Sequence, residues 1–103
     1  MGTANRRLGT HKETRKRVPI YTGFINYFPD AIIEVTKQST RGMLQHDTPT
    51  WNKDVSTDEL DALMRHMIEG DWAAVAWRAM ANLQRKCDEE NKKEDKQQHL
   101  DLL

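Results

Sequence analysis

The sequence predicts an all-α fold: a small bundle of about three helices, completed by oligomerisation and flanked by polar disordered tails. Three segments carry apolar residues at helical spacing, and a helix start signal precedes each of them. No segment alternates apolar and polar residues for long enough to predict a strand. The 103 residues suffice for one domain. Because only 37% of them are apolar, we expect a thin core that a second copy of the chain stabilises.

Charge divides the chain into three parts, although its formal net charge is zero. Residues 1–17 hold six bases, one acid and almost no apolar residue, which predicts a basic disordered arm. The remainder of the chain is acidic overall. We therefore expect the arm at 1–17, an all-α domain at 18–86, and a charged helical extension or tail at 87–103.

An extended segment is predicted ahead of the first helix. Pro19 fixes its own φ and disfavours helical backbone at Val18, so residues 18–24 are expected to be extended. Pro29 suits the first turn of a helix, where its missing N–H costs nothing. Apolar residues then follow at helical spacing, which predicts a helix over about 29–41.

A loop is predicted between the first and second helices. Gly42 is the expected C-cap of the first helix, and residues 43–57 follow as the loop, with Trp51 anchored in the core. The second helix has a clear start, because Ser56 stands three residues before Glu59 in a capping-box pattern. Its apolar stripe consists of Leu60, Leu63, Met64, Met67 and Ile68.

A third helix is predicted after Gly70, which interrupts the apolar pattern. Asp71 is the expected N-cap. Residues 88–98 lack the stripe, so they either continue the helix in solvent or fray. Stripes of this kind suit helix–helix interfaces between copies as well as an ordinary core. The stripe of the third helix consists of Trp72, Val75, Ala76, Ala79, Met80 and Leu83.

Composition and motifs exclude several classes of protein. No run approaches the ~18 apolar residues of a membrane span, and no signal-peptide core follows the first bases. One cysteine, Cys87, cannot form an internal disulfide or a cysteine-based metal set. His46 and His66 lack partners at zinc-binding spacing. Phosphate loops and nucleophile motifs are absent. We expect a soluble, intracellular protein.

Two carboxylates on the first predicted helix are candidate metal ligands. Asp30 and Glu34 are four residues apart, so they share one helical face, next to Lys37. Carboxylates one turn apart supply the oxygen ligands that a hard divalent cation needs. An ordinary explanation is also open, in which Asp30 interacts with the helix dipole and Glu34 pairs with Lys37 in solvent.

Further candidates lie on the second predicted helix. Asp61 stands beside the apolar stripe and can point into a groove of the bundle, where it would share a Mg²⁺ site with Glu34. Arg65 and His66 would then contact an anionic ligand. A routine ion pair between Asp61 and Arg65 explains the same spacing.

Trp77 and Arg78 on the third predicted helix are a candidate pair for base stacking and phosphate contact. The alternative is a core tryptophan beside a surface arginine.

Several short segments follow one another in an order typical of one protein family. They are Arg17-Val18-Pro19-Ile20, Tyr27-Phe28-Pro29-Asp30-Ala31, Glu34-Val35, Ser39 with Gly42, Gln45-His46 ahead of Trp51, Ser56-Thr57, Leu60-Asp61-Ala62-Leu63-Met64-Arg65-His66, and Ala76-Trp77-Arg78-Ala79-Met80-Ala81. This set, over about residues 17–86, resembles the phage and prophage dATP/dGTP diphosphohydrolases, a MazG-like branch of the all-α NTP pyrophosphatases.

The resemblance implies a nucleotide-binding domain that uses Mg²⁺ to cleave a (deoxy)nucleoside triphosphate between its α- and β-phosphates. It implies Glu34 and Asp61 as the catalytic metal ligands, with Asp30 near them. The family usually has a longer acidic stretch and a histidine where this chain has Glu69-Gly70-Asp71. Two alternatives are open: Glu69 and Asp71 complete the metal set, or the shortened turn has lost a ligand. The expected substrate contacts are Lys37, Trp51, Arg65, His66 and Arg78.

Three functions follow from these observations. The first is a Mg²⁺-dependent nucleotide pyrophosphohydrolase, encoded by a phage or prophage and working in the bacterial cytoplasm. The second is a protein on the same scaffold that binds a nucleotide, or a nucleotide signal, without hydrolysing it. The third is a nucleic-acid or protein interaction module that uses the basic residues of 1–17. We expect a homo-oligomer, either a dimer or a tetramer.

Overall fold

A computed structural model describes residues 6–46 and 59–102, and within these ranges the regular structure is entirely helical. The α-helices are α1 (Lys12–Lys16), α2 (Pro29–His46), α3 (Glu59–Glu69) and α4 (Trp72–Leu102). The all-α class predicted from the sequence is therefore confirmed. The described residues form two compact units, divided between residues 33 and 34.

Short helical turns occupy part of the segment predicted to be a disordered arm. Arg6–Leu8 form a 3-10 turn and Lys12–Lys16 form α1, which buries none of its residues. Local hydrogen bonds close these turns: the Arg15 guanidinium donates to the Gly9 carbonyl at 3.0 Å, and the Thr14 hydroxyl donates to the His11 carbonyl at 2.9 Å. The composition of residues 1–17 predicts that this segment forms no apolar core. The structure shows that short helical turns form there although none of the residues of α1 is buried.

The prediction of an extended segment over 18–24 is wrong, because Tyr21–Ile25 form a short π-helix. The fixed φ of proline suits a first helical turn as well as extended chain. Here the Pro19 carbonyl accepts the Gly23 N–H at 2.7 Å, which closes a helical turn directly after the proline.

α2 passes through Gly42, which was predicted to end it. A C-cap glycine adopts a positive φ, and Gly42 is not among the glycines with positive φ. Residues 43–46 therefore belong to the helix and not to the predicted loop. Trp51 and the capping box that begins at Ser56 lie outside the described residues.

The turn from α3 to α4 is closed by two backbone hydrogen bonds. Gly70 has a φ of 72°. The Asp71 N–H donates to the His66 carbonyl at 3.0 Å, and the Gly70 N–H donates to the Met67 carbonyl at 3.1 Å; together they form a Schellman motif. The carboxylate of Asp71 then accepts the Ala74 N–H at 3.4 Å. Asp71, which closes the C-terminal turn of α3, thus also caps the N-terminus of α4, as the sequence predicts.

Small side chains mediate the packing of α3 against α4. The two helices contact each other, and the buried apolar residues in the described ranges are three alanines, Ala62, Ala74 and Ala81. Most of the large residues of the predicted stripes are exposed instead. The sequence therefore predicts which residues form the stripes correctly, but not which face of each helix is buried within one chain.

α4 is much longer than its apolar stripe. The stripe ends at Leu83, but the helix continues through the charged residues 88–98 to Leu102. Of the two alternatives left open, continuation in solvent is therefore the correct one. None of the helices in the described ranges combines the length and the apolar composition that crossing a membrane requires.

Gly42 lies inside α2 and Gly70 lies in the α3–α4 turn. Replacing each with alanine should change the free energy of unfolding in opposite directions. An added Cβ meets no atom within 4 Å at either Gly42 or Gly70, so only the backbone matters. Gly70→Ala should lower the free energy of unfolding by about 1 kcal/mol, because alanine disfavours a positive φ. Gly42→Ala should raise it by about 0.5–1 kcal/mol, because alanine favours a helix interior. Urea denaturation of both variants checks this, and equal signs would contradict it.

Candidate functional site

The predicted metal ligand of α2, Glu34, forms an ion pair in the structure. Lys37 Nζ lies 3.2 Å from Glu34 Oε1, and both side chains are more than half exposed. This is the ordinary arrangement that the sequence left open for Glu34. An exposed pair at this spacing contributes little to stability, so a cation or a phosphate can replace either partner at small cost.

Asp30 lies in the first turn of α2, where a carboxylate interacts favourably with the helix dipole. It belongs to the first of the two units, whereas Glu34 belongs to the second. Of the two alternatives for Asp30, a metal ligand or a carboxylate that interacts with the helix dipole, this position is the one that the second alternative requires.

Three charged residues of α3 follow one another at intervals of four residues along one side of the helix. Asp61, Arg65 and Glu69 are all exposed, and we call them the charged edge of α3. The i,i+4 spacing makes each a neighbour of the next. A guanidinium between two carboxylates can either pair with them or contact an anionic ligand.

His66 and Asp71 contact each other across the α3–α4 turn. His66 Nδ1 lies 3.5 Å from Asp71 Oδ2, and among the described residues that buried nitrogen has no hydrogen-bond partner. The two residues occupy the positions of the Schellman motif that usually make an apolar contact. The structure thus directs His66 Nδ1 and the Asp71 carboxylate towards each other, within the turn.

Among the residues that it describes, the structure shows contacts between candidate residues, Glu34 with Lys37 and His66 with Asp71. Within the described ranges, no group of three or more His, Cys, Asp and Glu side chains is placed to hold a metal ion. Arg78 and its neighbour Trp77 are half-buried on α4, so both alternatives for this pair stay open. Trp51 lies outside the described residues.

The contact between His66 and Asp71 is the feature that sequence reasoning missed. Its signal was present, because Gly70 follows an apolar helix and an aspartate comes next. A glycine at the C′ position predicts that the residue after it contacts the last turn of the helix. Applying that rule to Gly70 would have paired Asp71 with His66.

Replacing Asp71 separates its capping role from a role in metal binding. Asp71→Ala should lower the free energy of unfolding by about 1 kcal/mol, because the Ala74 N–H loses its acceptor. Asp71→Asn keeps an oxygen at that position and should cost much less. Urea denaturation gives the stabilities. If Asp71→Asn is as stable as the wild type but abolishes the expected Mg²⁺-dependent hydrolysis of nucleotides, the Asp71 carboxylate acts in catalysis. If Asp71→Asn changes neither stability nor hydrolysis and Asp71→Ala lowers stability, the role of Asp71 is structural.

We compared the chain with models of protein families, with curated proteins and with solved structures, and none of the three comparisons gives a match. The family resemblance stays a prediction, and the candidate roles rest on the residues described above.

Proposed function

We propose that this chain is a Mg²⁺-dependent nucleotide pyrophosphohydrolase, which cleaves a (deoxy)nucleoside triphosphate to a monophosphate and pyrophosphate. One observation supports it above the others: the ordered family-like segments place Glu34 and Asp61 on consecutive long helices, and both carboxylates are exposed. We propose further that it works as a dimer or tetramer in the cytoplasm of a bacterium that carries the phage or prophage.

The donor chemistry of the proposed site suits Mg²⁺. Glu34 and Asp61 offer carboxylate oxygens, the hard ligands that this ion prefers. In the part of the chain that the structure describes, Glu34 pairs with Lys37 and is exposed, so its carboxylate can exchange that partner at small cost. When bound, Mg²⁺ would neutralise phosphate charge and increase the acidity of a water molecule.

The neighbouring cations would bind the polyphosphate. Lys37 would turn from Glu34 to a phosphate oxygen once the carboxylate binds the metal ion. Arg65 would offer two parallel N–H donors, the geometry that suits phosphate. Since His66 Nδ1 lies beside Asp71, Nε2 is the nitrogen of His66 that would donate to phosphate. These donors would orient the triphosphate for attack at the α-phosphorus.

Nucleotide binding without hydrolysis is the second candidate function. Two of the predicted metal ligands already have partners of their own: Glu34 contacts Lys37, and Asp71 caps α4 and contacts His66. Carboxylates that keep these partners would not be available to bind a metal ion, and Arg65 would then contact the phosphates. A protein of this kind would sequester the nucleotide and release it intact.

One pair of measurements separates these functions. The protein is incubated with a panel of NTPs and dNTPs, with Mg²⁺ and with excess EDTA as the control, and the products are resolved by ion-exchange chromatography. Mg²⁺-dependent formation of monophosphate and pyrophosphate supports the hydrolase. Tight binding by calorimetry, followed by recovery of intact nucleotide, supports the binding protein. The absence of both turnover and binding would overturn both proposals.

A further inference from the structure

Residues 18–28, which we call the apolar segment, expose large apolar side chains with no charge among them. Every residue from 11 to 31 is exposed, and no charged residue lies between Arg17 and Asp30. The segment is too short to cross a bilayer, but its length matches that of segments that lie at a membrane surface. Its large apolar residues are 40–72% exposed, and they include Ile20, Phe24, Tyr27 and Phe28.

Local hydrogen bonds pair backbone groups of the apolar segment on both sides of the π-helix Tyr21–Ile25. Four N–H groups donate to carbonyl oxygens of the same segment at 2.7–3.3 Å. Backbone groups that leave water need such partners, because lipid chains offer none. The segment therefore meets one requirement for entering an apolar environment. The bonds run from Gly23 to Pro19, from Asn26 to Tyr21, from Tyr27 to Phe24 and from Phe28 to Ile25.

Three aromatic side chains of the apolar segment form a cluster. The ring centroids of Phe24 and Phe28 are 5.7 Å apart with planes tilted by 58°, and those of Tyr27 and Phe28 are 6.1 Å apart with planes at 67°. Rings tilted in this way pack edge against face and not in a parallel stack. Tyrosine combines an apolar ring with a polar hydroxyl, which suits the boundary between lipid and water.

Exposed bases stand directly before the apolar segment. They belong to α1 and to the residue that follows it, and they are Lys12, Arg15, Lys16 and Arg17. Glu13 is the one acid in residues 11–29. Lysine and arginine are attracted to anionic lipid headgroups, and their aliphatic stems tolerate the apolar layer beneath. Positive charge and exposed apolar surface are therefore adjacent along the chain.

We propose that these four bases and the apolar segment together bind the surface of a bilayer that contains anionic phospholipids. The bases complement the phosphates of the headgroups, and the aromatic cluster enters the layer between the headgroups and the acyl chains. The assignment is independent of the proposed enzymatic function, because it uses none of the residues proposed to bind metal or nucleotide.

The arrangement favours lipid over single-stranded nucleic acid. A groove for a single strand combines bases with aromatic side chains whose faces are open for stacking. Here residues 11–17 contain no Phe, Tyr or Trp, and residues 18–28 contain no Lys or Arg. The rings contact one another, and aliphatic neighbours such as Ile20 and Ile25 offer no stacking surface. A bilayer separates charged from apolar groups in the same way as this part of the chain.

Co-sedimentation of the full chain with lipid vesicles tests the proposal. Vesicles of phosphatidylglycerol and phosphatidylcholine in equal parts should bind the chain at least about tenfold more tightly than phosphatidylcholine alone. Phe24→Glu should weaken this binding at least about tenfold, because it places a charge in the apolar layer. Leu44→Glu is the matched control, since Leu44 is 79% exposed on α2; it should change the affinity less than about twofold. Equal affinity for both kinds of vesicle, or equal losses in both variants, would overturn the proposal.

A charge test leaves the apolar segment intact. Lys16→Gln combined with Arg17→Gln should weaken binding to the anionic vesicles about tenfold or more, because each base near an anionic surface contributes. Lys92→Gln combined with Lys93→Gln removes the same charge from exposed positions of α4 and should change the affinity less than about twofold. All four side chains are exposed, so both double variants should keep the fold. If the two double variants bind equally well, the proposal is wrong.

A fluorescent label tests whether the segment enters the lipid. In a Cys87→Ser background, Tyr27→Cys carrying an environment-sensitive nitrobenzoxadiazole label should shift its emission to shorter wavelength when anionic vesicles are added. Leu102→Cys with the same label is the control and should show no shift; both positions are more than 70% exposed. An absent shift at position 27 contradicts the proposal. So does binding of a single-stranded oligonucleotide, lost in Phe24→Glu, by a chain that does not bind vesicles. Neither readout depends on nucleotide hydrolysis.

Discussion

Asp61→Asn should lower the kcat of Mg²⁺-dependent pyrophosphate release at least about 100-fold, as expected when a metal ligand in the reaction loses its charge. An amide is a poorer ligand for Mg²⁺ than a carboxylate. The side chain of Asp61 is exposed on α3, so the substitution should leave the fold intact. Steady-state kinetics with the best substrate of the nucleotide panel, together with circular dichroism, measures both properties.

Two further variants make the Asp61 result specific. Glu34→Gln should have a similar effect, because Glu34 is the second proposed metal ligand. Asp101→Asn is the matched control: it removes an exposed carboxylate near the end of α4, where Asp101 accepts a hydrogen bond from Gln97. Its kcat should equal that of the wild type. If Asp61→Asn keeps more than half of the activity, Asp61 is not a metal ligand.

Ala74→Leu should destabilise the protein by about 3 kcal/mol, because a larger side chain at a closely packed site forces the surrounding structure to move. Ala74 is completely buried, on the helix that packs against α3. For a domain whose total stability is of the order of 5–10 kcal/mol, this is a large fraction. Urea denaturation gives the free energy of unfolding.

The control for Ala74→Leu lies on the opposite side of the same helix. Ala79 is exposed on α4, so Ala79→Leu adds the same atoms without displacing a neighbour. Its free energy of unfolding should stay within about 0.5 kcal/mol of the wild type. Equal losses for Ala74→Leu and Ala79→Leu would show that the alanine contact between α3 and α4 does not stabilise the fold.

Local sequence signals predicted a helix well where its own apolar spacing and its own capping residue determine it. The spacing of apolar residues located α3 and the start of α4, and Asp71 caps α4 as predicted. The same kind of reasoning was wrong at Pro19 and at Gly42. Proline is compatible with both a helical turn and extended chain, and glycine is tolerated inside a helix as well as after it. In both cases one residue type fits two conformations, and local pattern does not choose between them.

The candidate site was predicted less completely than the fold. Spacing placed Glu34 beside Lys37 as one of two alternatives, and the structure contains that ion pair. The contact between His66 and Asp71 was not predicted, although Gly70 after an apolar helix is a local signal for it. It forms because Gly70 turns the chain back over the last turn of α3. The roles of Glu34 and Asp61 as metal ligands are still predictions that the kinetic experiments test.

The sequence by itself determined that this chain is helical, which residues form its apolar stripes, and that the first 17 positions carry a net positive charge while the rest is acidic overall. These properties follow from residue type and spacing along the chain. Only the tertiary structure decided which side of each stripe-bearing helix is buried. In α3 and α4 three small residues, Ala62, Ala74 and Ala81, are buried, and most of the large apolar side chains of the stripes are exposed. An apolar stripe has the same period whether it packs against a helix of its own chain or against another chain. The sequence pattern alone therefore does not determine what covers it.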